Sequence, residues 1–470
     1  MSTLEASASQ THSAAYRLYV LVVLTAVYTF SFIDRQIIAI LAPFIKDDLG
    51  LSDTQLGLLS GFAFAVLYTT LGIPIARLAD RSNRVTIVAI ALALWSGFTA
   101  ISSVTSNFAQ LALARVGVGI GEAGGSPPSH SLISDLYPKE KRAGALAIFA
   151  LGIPIGTTLA YLSGGIILEH FTWRQTFLIV GLPGVLLALI VKLTIREPIR
   201  GANDSGVPDV FSTMAGLTPE TGVERAAFRV TRAFSAKIKD RAFDEFAIFW
   251  RAAKHLLSIP SYRNVVTGLT AGSFASYGIA AWIVVYFSRA HPDFGIQNTL
   301  TSLGLINGTA YVAGVFIGGN LVDRMAAVSK SAYGTIPAIA IGLMGPIFVS
   351  AIWVDSPITA MILMWPTTLL LGFYLGPCFA LAQTLAPVSI RALSTAIFFF
   401  ILNMIALGFG PTYVGAASDI ISGAFGQDTE MALRLAMSSL IIAGFISVWA
   451  FLQLRKSIDA DWRAATETRG

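Results

Sequence analysis

Long apolar stretches alternate with short polar turns along almost the whole chain. A helix needs roughly 20 predominantly apolar residues to cross a hydrocarbon core about 30 Å thick. One such stretch fits the core of a soluble protein, but a dozen in series predicts an all-α membrane protein. The fourth stretch is interrupted by Gly-Gly-Ser-Pro-Pro at residues 124–128. The twelve predicted spans lie near residues 17–45, 54–79, 84–104, 108–136, 142–168, 173–195, 262–289, 299–322, 331–353, 357–385, 392–421 and 432–455.

A long polar insert separates the sixth and seventh spans. Its first part, residues 201–222, is rich in Gly, Pro, Ser and Asp and is predicted to be a flexible linker. Its second part, residues 223–257, combines Phe and Ile with many Arg and Lys and predicts a basic amphipathic helix. Two interpretations stay open for this helix: it lies along the inner membrane surface, or it is a simple tether. The predicted segments are a tail at 1–16, a six-helix bundle at 17–195, a linker at 196–260, a six-helix bundle at 261–456 and a tail at 457–470.

The two predicted bundles repeat the same motifs at matching places. Asp80-Arg81 follows the second span, and Asp323-Arg324 follows the eighth, which is the second span of its half. The pattern Pro-x-x-x-Arg-Ala-x-x-x-Ala-Ile-Phe begins at residue 138, after the fourth span, and recurs at residue 387. Two matches in the same order indicate a 6+6 duplication. In transporters, such parallel repeats place the substrate path between the halves.

The composition and charge fit a membrane protein and give its predicted orientation. The chain is 54% hydrophobic and 13% charged, about half the 25% charged content that is typical of soluble domains. Its net charge is +5, and most basic residues lie at alternate ends of successive spans. Because basic ends stay cytoplasmic, both termini and the central loop are expected inside. This distribution explains the positive charge without nucleic-acid binding. The exceptions, at the opposite ends, are Lys46, Arg174, Arg289 and Arg434.

Several other classes of protein are disfavoured by the sequence. Cys378 is the sole cysteine, so the chain cannot form an internal disulfide. Residues 1–15 lack the basic start and cleavage site of a signal peptide, so the first span is expected to direct insertion. The sequence contains no metal-binding cluster, nucleophile elbow or phosphate-binding Gly-Lys loop. We therefore expect no enzymatic activity, no ATP-driven transport, no metal and no cofactor.

The loop after the second span reads Ala-Arg-Leu-Ala-Asp-Arg-Ser-Asn-Arg at residues 76–84. With the internal repeat, it resembles the major facilitator superfamily, whose corresponding loop reads Gly, three residues, Asp-Arg, one residue, Gly and then basic residues. Ala76 and Asn83 depart from this pattern by replacing the glycines. The resemblance implies two six-helix halves around a central cavity and a cytoplasmic gating network; solvated loop charges are the alternative for these residues. The gating candidates are Asp80, Arg81, Arg84, Arg142, Asp323 and Arg324.

Within that superfamily, the N-terminal half is most similar to the spinster family, and the resemblance indicates a bacterial homologue. The residues that carry this similarity are Asp34-Arg35, the stretches 51–59 and 80–84, Trp95-Ser96, Arg-Val-Gly-Val-Gly-Ile-Gly-Glu-Ala at 115–123, and Asp-Leu-Tyr-Pro at 135–138. Spinster proteins are associated with lysophospholipids and sphingosine-1-phosphate, and proton coupling is proposed for some. The resemblance therefore implies a lipid-like substrate and a location in the plasma membrane, here a bacterial inner membrane.

Four ionisable residues fall within the N-terminal spans: Asp34, Arg35, Arg115 and Glu122. Each costs roughly 2.5–3.5 kcal/mol at a helix centre, so each is expected to face a cavity or to be paired. Arg115 and Glu122 lie two turns apart on one helix face, about 10 Å along the axis, which leaves room for a partner from the first span. We hypothesise that Asp34 and Glu122 carry the coupling proton while Arg35 and Arg115 tune its release. The alternative is a fixed structural ion pair, and Arg115 has a second potential role in binding an anionic headgroup.

The C-terminal spans contain almost no interior charge, so their polar and aromatic residues are the remaining candidates for the cavity. The candidates from both halves are Ser126, His130, Tyr277, Trp282, Asn307, Tyr311, Trp365, Tyr374 and Asn403. A charged half that faces an aromatic half suits an amphiphile with an anionic head and an alkyl tail. The leading prediction is a proton-coupled secondary transporter that works by alternating access, as a monomer in the lipid bilayer. The alternatives are a multidrug or small organic-anion exporter, a uniporter and, from other classes, a channel or a membrane enzyme.

Overall fold

The structure, a computed structural model, describes residues 13–200, 241–387 and 390–467. Within these ranges nearly all residues are helical, and no strand occurs there. Helices satisfy every backbone polar group within the segment, which a bilayer core without water requires. The predicted linker at 201–222 and residues 223–240 of the predicted amphipathic helix lie outside the described residues.

The N-terminal half contains the first six spans, several of them built from two consecutive helices. They are α1 (Ala14–Leu49), α2 (Asp53–Ser60) with α3 (Phe62–Arg81), α4 (Arg84–Ile101), α5 (Phe108–Glu122) with α6 (Ser126–Leu136), α7 (Lys139–Ala150) with α8 (Gly152–His170), and α9 (Trp173–Thr194). Local sequence signals define the helix ends. Ser52 and Gln55 form a capping box at the start of α2. Gly50 ends α1 in the left-handed region, at φ 61°.

The C-terminal half begins with a helix, α10 (Arg241–Ser258), that precedes its first span. Two of its spans contain a π-helical turn, at Asn307–Tyr311 in the eighth span and at Asn403–Phe409 in the eleventh. Such turns often occur at functional positions in helices. The six spans are α11 (Pro260–Ala290), α12 (Ile296–Ile306) with α13 (Val312–Val328), α14 (Ala332–Trp353), α15 (Pro357–Leu371) with α16 (Leu375–Leu385), α17 (Arg391–Leu402) with α18 (Gly410–Phe425), and α19 (Thr429–Ser438) with α20 (Ile441–Glu467).

The fourth span differs from the others because its break separates two helices that are each too short to cross a membrane. Eleven segments in the described residues are long and apolar enough to cross a membrane. The fourth span is divided at residues 123–125 into α5 and α6, neither of which is long enough alone. Pro127 and Pro128 follow the break, in the first turn of α6. Backbone N–H groups of a first turn have no carbonyl partner within the helix, so the N–H groups that proline lacks are not needed there. The prediction of twelve spans is confirmed, with the fourth formed by two helices in series.

The two halves contact each other near one end of the bundle. We call this end, which carries the turn at residues 50–52, the loop end, and the opposite end, where α1 begins, the termini end. A Cβ atom at Gly57 would lie 2.6 Å from the carbonyl oxygen of Pro411, so only glycine permits this approach of the second and eleventh spans. Between the fifth and eighth spans, the Asn307 side chain donates to the Thr158 hydroxyl at 3.1 Å. The halves are therefore closed together towards the loop end.

The described part of the predicted amphipathic helix, α10, packs against the C-terminal half. Ala253 and Leu256 are buried in a hydrophobic cluster with residues of the seventh and eleventh spans. The Phe249 ring lies 5.4 Å from the ring of Phe400. Trp250, the next residue of α10, is exposed. This part of the helix is thus attached to protein, whichever role the rest of the segment has.

Candidate functional site

Glu122, the last residue of α5, lies at the centre of a buried polar cluster. Its Oε2 accepts hydrogen bonds from Nε of Arg35 at 2.6 Å and from Oγ of Ser31 at 2.8 Å, both on α1. The Glu122 side chain has no solvent exposure. Arg35 therefore supplies the expected partner from the first span, and the ion pair joins the first span to the fourth.

Asp34 and Arg115 complete the charged part of the cluster. Both are buried, and both lie within electrostatic range of Glu122 and of each other. Asp34 takes part in no ion pair within the described part of the chain, and its polar neighbours are Trp95 and Thr99 on α4. The site thus contains two carboxyl groups and two guanidinium groups, of which one pair is directly bonded. No His, Cys, Asp and Glu side chains in the described residues form a group suited to a metal ion.

Glycines on α5 allow the neighbouring helices to approach the cluster closely. A Cβ atom at Gly119 would lie 2.5 Å from the carbonyl oxygen of Phe64, on α3. A Cβ atom at Gly121 would lie 2.6 Å from the backbone nitrogen of Trp95, on α4. Small residues of this kind let membrane helices pack with their backbones in contact. The local sequence around Glu122 therefore holds the carboxyl group where the first four spans meet.

Arg35 is surrounded by aromatic rings that extend the cluster towards the C-terminal half. Its guanidinium carbon lies 5.1 Å from the ring centroid of Phe32, 5.2 Å from that of Phe64 and 4.6 Å from that of Tyr68. These distances are within the range of cation–π attraction. Tyr277, on α11, lies within electrostatic range of both Arg35 and Tyr68. Arg35 is therefore the charged residue of the cluster that faces the other half.

Three predicted cavity residues of the C-terminal half form one group of tyrosines. Tyr311 lies within electrostatic range of Tyr277 and Tyr374. The Tyr374 hydroxyl shares a hydrogen bond of 3.0 Å with Ser276. Because Tyr277 also lies near Arg35, this group continues from the charged cluster into the C-terminal half. Asn403 is half-buried at the start of the second π-helical turn.

The other three predicted cavity residues of the C-terminal half are placed differently. Asn307 bonds across the contact between the halves, as described above. Trp282 is buried in packing, and its indole Nε1 donates to the carbonyl oxygen of Pro411 at 2.9 Å. Trp365 is 41% exposed and lines a surface groove of about 630 Å³ between α12 and α15. The structure corrects the placement of both tryptophans in a central cavity, because the sequence does not fix which face of a helix turns inward.

Ser126 and His130 lie one turn apart on α6, next to Glu122 in the chain. Ser126 is half-buried, and its carbonyl oxygen lies 2.8 Å from Nδ1 of the exposed His130. The His130 ring meets the ring of Phe149 edge-on at 5.0 Å. Ser126 also lines a small internal chamber that reaches Glu122.

Among the predicted gating residues, Arg84 is the one whose bonds the structure describes in detail. Arg84 is buried, and its guanidinium bonds Asp135, Ser131 and Glu197. All of these partners belong to the N-terminal half, so Arg84 ties the termini ends of the third, fourth and sixth spans together. The part of Arg84 in a gating network stays a prediction. Of the other candidates, Arg142 is half-buried, the side chain of Asp80 lies outside the described part of the chain, and those exposed are Arg81, Asp323 and Arg324.

An ion-pair network at the loop end does join the two halves. The buried carboxylate of Asp53 accepts two hydrogen bonds from Arg289, at 2.6 and 2.9 Å, and one from Ser418 at 2.7 Å. Lys46 also bonds this carboxylate from within the N-terminal half. On the eleventh span, Asp419 accepts from the backbone N–H groups of residues 53 and 54, at the start of α2. An acidic side chain is favoured at a helix N-terminus, so each half supplies a carboxylate to the other.

These loop-end residues were not among the predicted site residues, although the sequence carried a signal for them. The four basic residues that break the predicted charge bias are each ion-paired in the structure. Lys46 and Arg289 pair with Asp53, while the pairs within one half are Arg174 with Asp48 and Arg434 with Glu430. A basic residue at the end of a span where basic residues are otherwise rare therefore indicated an ion pair in the folded structure.

Comparison with known proteins identifies the family to which this arrangement of helices belongs. Residues 24–411 match the Major Facilitator Superfamily. An MFS-type efflux pump of Mycolicibacterium smegmatis is 30% identical, with 91% of this chain and 90% of that protein aligned. Protein spinster homolog 3 of Danio rerio is 26% identical over 94% of this chain and 86% of its own length. The structure of a bacterial homologue of the human lysosomal transporter spinster, in an inward-facing and unoccupied conformation, superimposes with a TM-score of 0.78 at 26% identity and covers 96% of this chain and 99% of that one.

Proposed function

This chain belongs to the major facilitator superfamily, and we propose that it is a proton-coupled secondary transporter of an amphipathic anion. The observation that carries the proposal is the buried ion pair of Arg35 and Glu122 beside Asp34, a second buried carboxyl group. Ionisable residues within a membrane are costly and commonly mark ion pathways and proton relays. The cluster also lies between the first and fourth spans of a fold that works by relative motion of its halves.

The charges of the cluster suggest how a proton and an anion would be coupled. With both carboxyl groups ionised, two carboxylates and two guanidinium groups sum to zero. A proton on Glu122 removes the charge that holds Arg35 and leaves the cluster with one net positive charge. An anionic headgroup then restores neutrality and binds the planar guanidinium in place of the carboxylate. Proton and anion therefore favour each other's binding to the same extent, which favours symport.

The substrate class follows from what lies next to Arg35. Tyr277 lies near the guanidinium, and Tyr311 and Tyr374 continue from it into the C-terminal half, so aromatic rings with polar hydroxyl groups extend away from the charge. Such a surface suits the junction between an anionic head and an alkyl tail. The similarity to spinster proteins supports a lipid-like anion, such as a lysophospholipid or a sphingoid phosphate.

The location and conformational state belong to the same proposal. The bias of basic residues favours cytoplasmic termini in a bacterial inner membrane, and the protein is proposed to act as a monomer. The loop end would then be the outer end. Its ion pairs across the halves, centred on Asp53 and Arg289, fit an inward-facing state, the state named for the similar bacterial structure.

A second candidate function is export of drugs or small organic anions. It is favoured by the 30% identity to an efflux pump along nearly the whole chain. A cavity that combines aromatic rings with a carboxyl group such as Asp34, which forms no ion pair with the residues that the structure describes, also suits a lipophilic cation. In that case substrate and proton would compete for the carboxyl group, so the two would move in opposite directions.

The test is substrate-stimulated proton movement in liposomes. The panel contains a lysophospholipid, a sphingoid phosphate, a sugar phosphate and a lipophilic cation, each with wild type, Asp34→Asn and Glu122→Gln. Glu169→Gln, an exposed carboxylate at the end of α8, is the matched control. We expect proton flux with the lipid-like anions that the two cluster variants lose and the control keeps. Flux with the cation alone would establish the exporter, and saturable substrate exchange without proton flux would refute coupling.

A further inference from the structure

The chamber beside Glu122 has the size and the lining of a binding site for one water molecule. Its volume is about 10 Å³, close to the smallest cavity that holds a water. A buried water needs two to four polar partners. The chamber provides them in Glu122 and in the hydroxyl groups of Ser31, Ser126 and Ser129.

The carboxylate of Glu122 is arranged so that one oxygen serves this chamber. Oε2 is occupied by Arg35 and Ser31. Oε1 is buried and has no hydrogen-bond partner in the described part of the protein. A buried acceptor without a partner typically costs about 1–3 kcal/mol, and more when it is charged. A water in the chamber removes that cost and is the natural partner of Oε1.

The chamber also leads away from Glu122 towards the termini end. The break of the fourth span turns Ser126 and Ser129, on the first turn of α6, to the chamber. Ser129 donates to the carbonyl oxygen of Gly125 at 2.8 Å, which leaves its own oxygen free to accept. Ser126 is half-buried, and one turn further His130 is exposed. Polar groups thus follow one another from Oε1 through the lining of the chamber to the exposed His130 on α6.

We propose that a water bound in this chamber relays the coupling proton between Glu122 and the solvent at the termini end. The water donates one proton to Oε1, which forms the carboxylic acid, and takes one proton from a solvent hydronium ion beside Ser126, which becomes water. The relay water is therefore unchanged at the end of the step. The inference rests on the proposed function, since it gives the route by which Glu122 exchanges its proton.

Other titratable groups surround this carboxyl and have to be separated from it in the measurement. On α1 they are Tyr28, Asp34 and Arg35; α5 contributes Arg115, α3 contributes Tyr68, α6 contributes His130, and α11 contributes Tyr277. Infrared spectroscopy separates them, because a protonated carboxyl group has its own stretching band. The band that disappears in Glu122→Gln belongs to Glu122, whereas a band from Asp34 stays.

The experiment follows that band after a rapid change of pH. In Ser126→Val, added methyl groups fill the chamber and the hydroxyl is lost, so protonation of Glu122 should slow by about tenfold, the factor that one lost hydrogen bond supplies. Ser163, on α8, is half-buried and lies outside the chamber, so Ser163→Val should keep the wild-type rate. If Ser126→Val does not fold, the double variant Ser126→Ala with Ser129→Ala removes both hydroxyl groups and should slow the same step.

The measurements distinguish failure of the proposed proton coupling from failure of the proposed water relay. Substrate accumulation at equilibrium depends on the number of protons moved with each substrate, so lost coupling abolishes it, whereas a slower route changes only the rate. An unchanged protonation rate in the chamber variants, with coupling lost in Glu122→Gln, would overturn the relay and leave the proposed function standing. Coupling that survives in Glu122→Gln would overturn both.

Discussion

Replacing Asp53 with asparagine should open the loop end of the protein. Asp53→Asn keeps the size of the side chain but removes the charge that Arg289 bonds from the other half. Three hydrogen bonds cross between the halves at this carboxylate, two from Arg289 and one from Ser418. Asparagine can accept at one oxygen only, so at least one of them is lost and the others weaken.

The magnitude follows from how far water can replace the lost bonds. Removal of one partner from a fully buried ion pair costs about 3–5 kcal/mol. Here the cations keep some solvent contact, with 15% of the Arg289 side chain and 22% of the Lys46 side chain exposed. We therefore expect about 2–3 kcal/mol less stabilisation of the closed loop end. That corresponds to a shift of roughly 30- to 150-fold in the ratio of closed to open molecules.

The assay is a distance measurement between spin labels on the two halves. Labels at Glu169→Cys and Asp293→Cys lie on exposed positions at the loop end, one in each half. The sole native cysteine, Cys378, is buried and can be replaced to give a clean background. Wild type should show one short distance, and Asp53→Asn should add a longer one. Both samples should react with the spin label to the same extent.

A matched control at the same end separates loss of charge from loss of the contact between halves. Asp48→Asn breaks the ion pair with Arg174, which lies within the N-terminal half. It should leave the distance distribution as in wild type. The reasoning is refuted if Asp53→Asn keeps the single short distance, or if Asp48→Asn opens the loop end equally.

Two further predictions concern stability. Arg84→Met should lower the free energy of unfolding by about 2–3 kcal/mol, because it removes the buried cation that Asp135 and Glu197 bond, while 10% and 22% of these two side chains keep contact with solvent. Thermal unfolding in detergent should show this loss, with the exposed Arg81→Met near wild type. Equal stability of the two variants would contradict it. Burial, helped by a nearby guanidinium, lowers the pKa of His291, so its neutral form is favoured in the folded state. The stabilisation that neutral His291 gives is then fully present above the pKa of the unfolded state, about 6.5, and is lost as the pH falls through the lower pKa of the folded state. His291→Asn should therefore lose less thermal stability than wild type between about pH 7 and 5, and identical profiles would refute this.

The sequence alone determined the membrane class, the number of spans and the main break in one of them. These are properties of single segments, because each stretch of about 20 apolar residues enters the bilayer on its own hydrophobicity. The break in the fourth span is equally local, since Pro127 and Pro128 act on the neighbouring turn. The spacing of Arg115 and Glu122 on one helix face also followed from helix geometry.

The tertiary structure decided which side chains meet. Arg35, and not Asp34, bonds Glu122, because the rotation of α1 against α5 selects one of two consecutive residues that point about 100° apart. In the same way, helix rotation turned Trp365 to the surface and buried Trp282 in packing. Asp53 and Arg289 are 236 residues apart in the chain, so no local pattern joins them. Their pairing depends on how the two halves approach each other, and that approach is set by the packing of all the helices together.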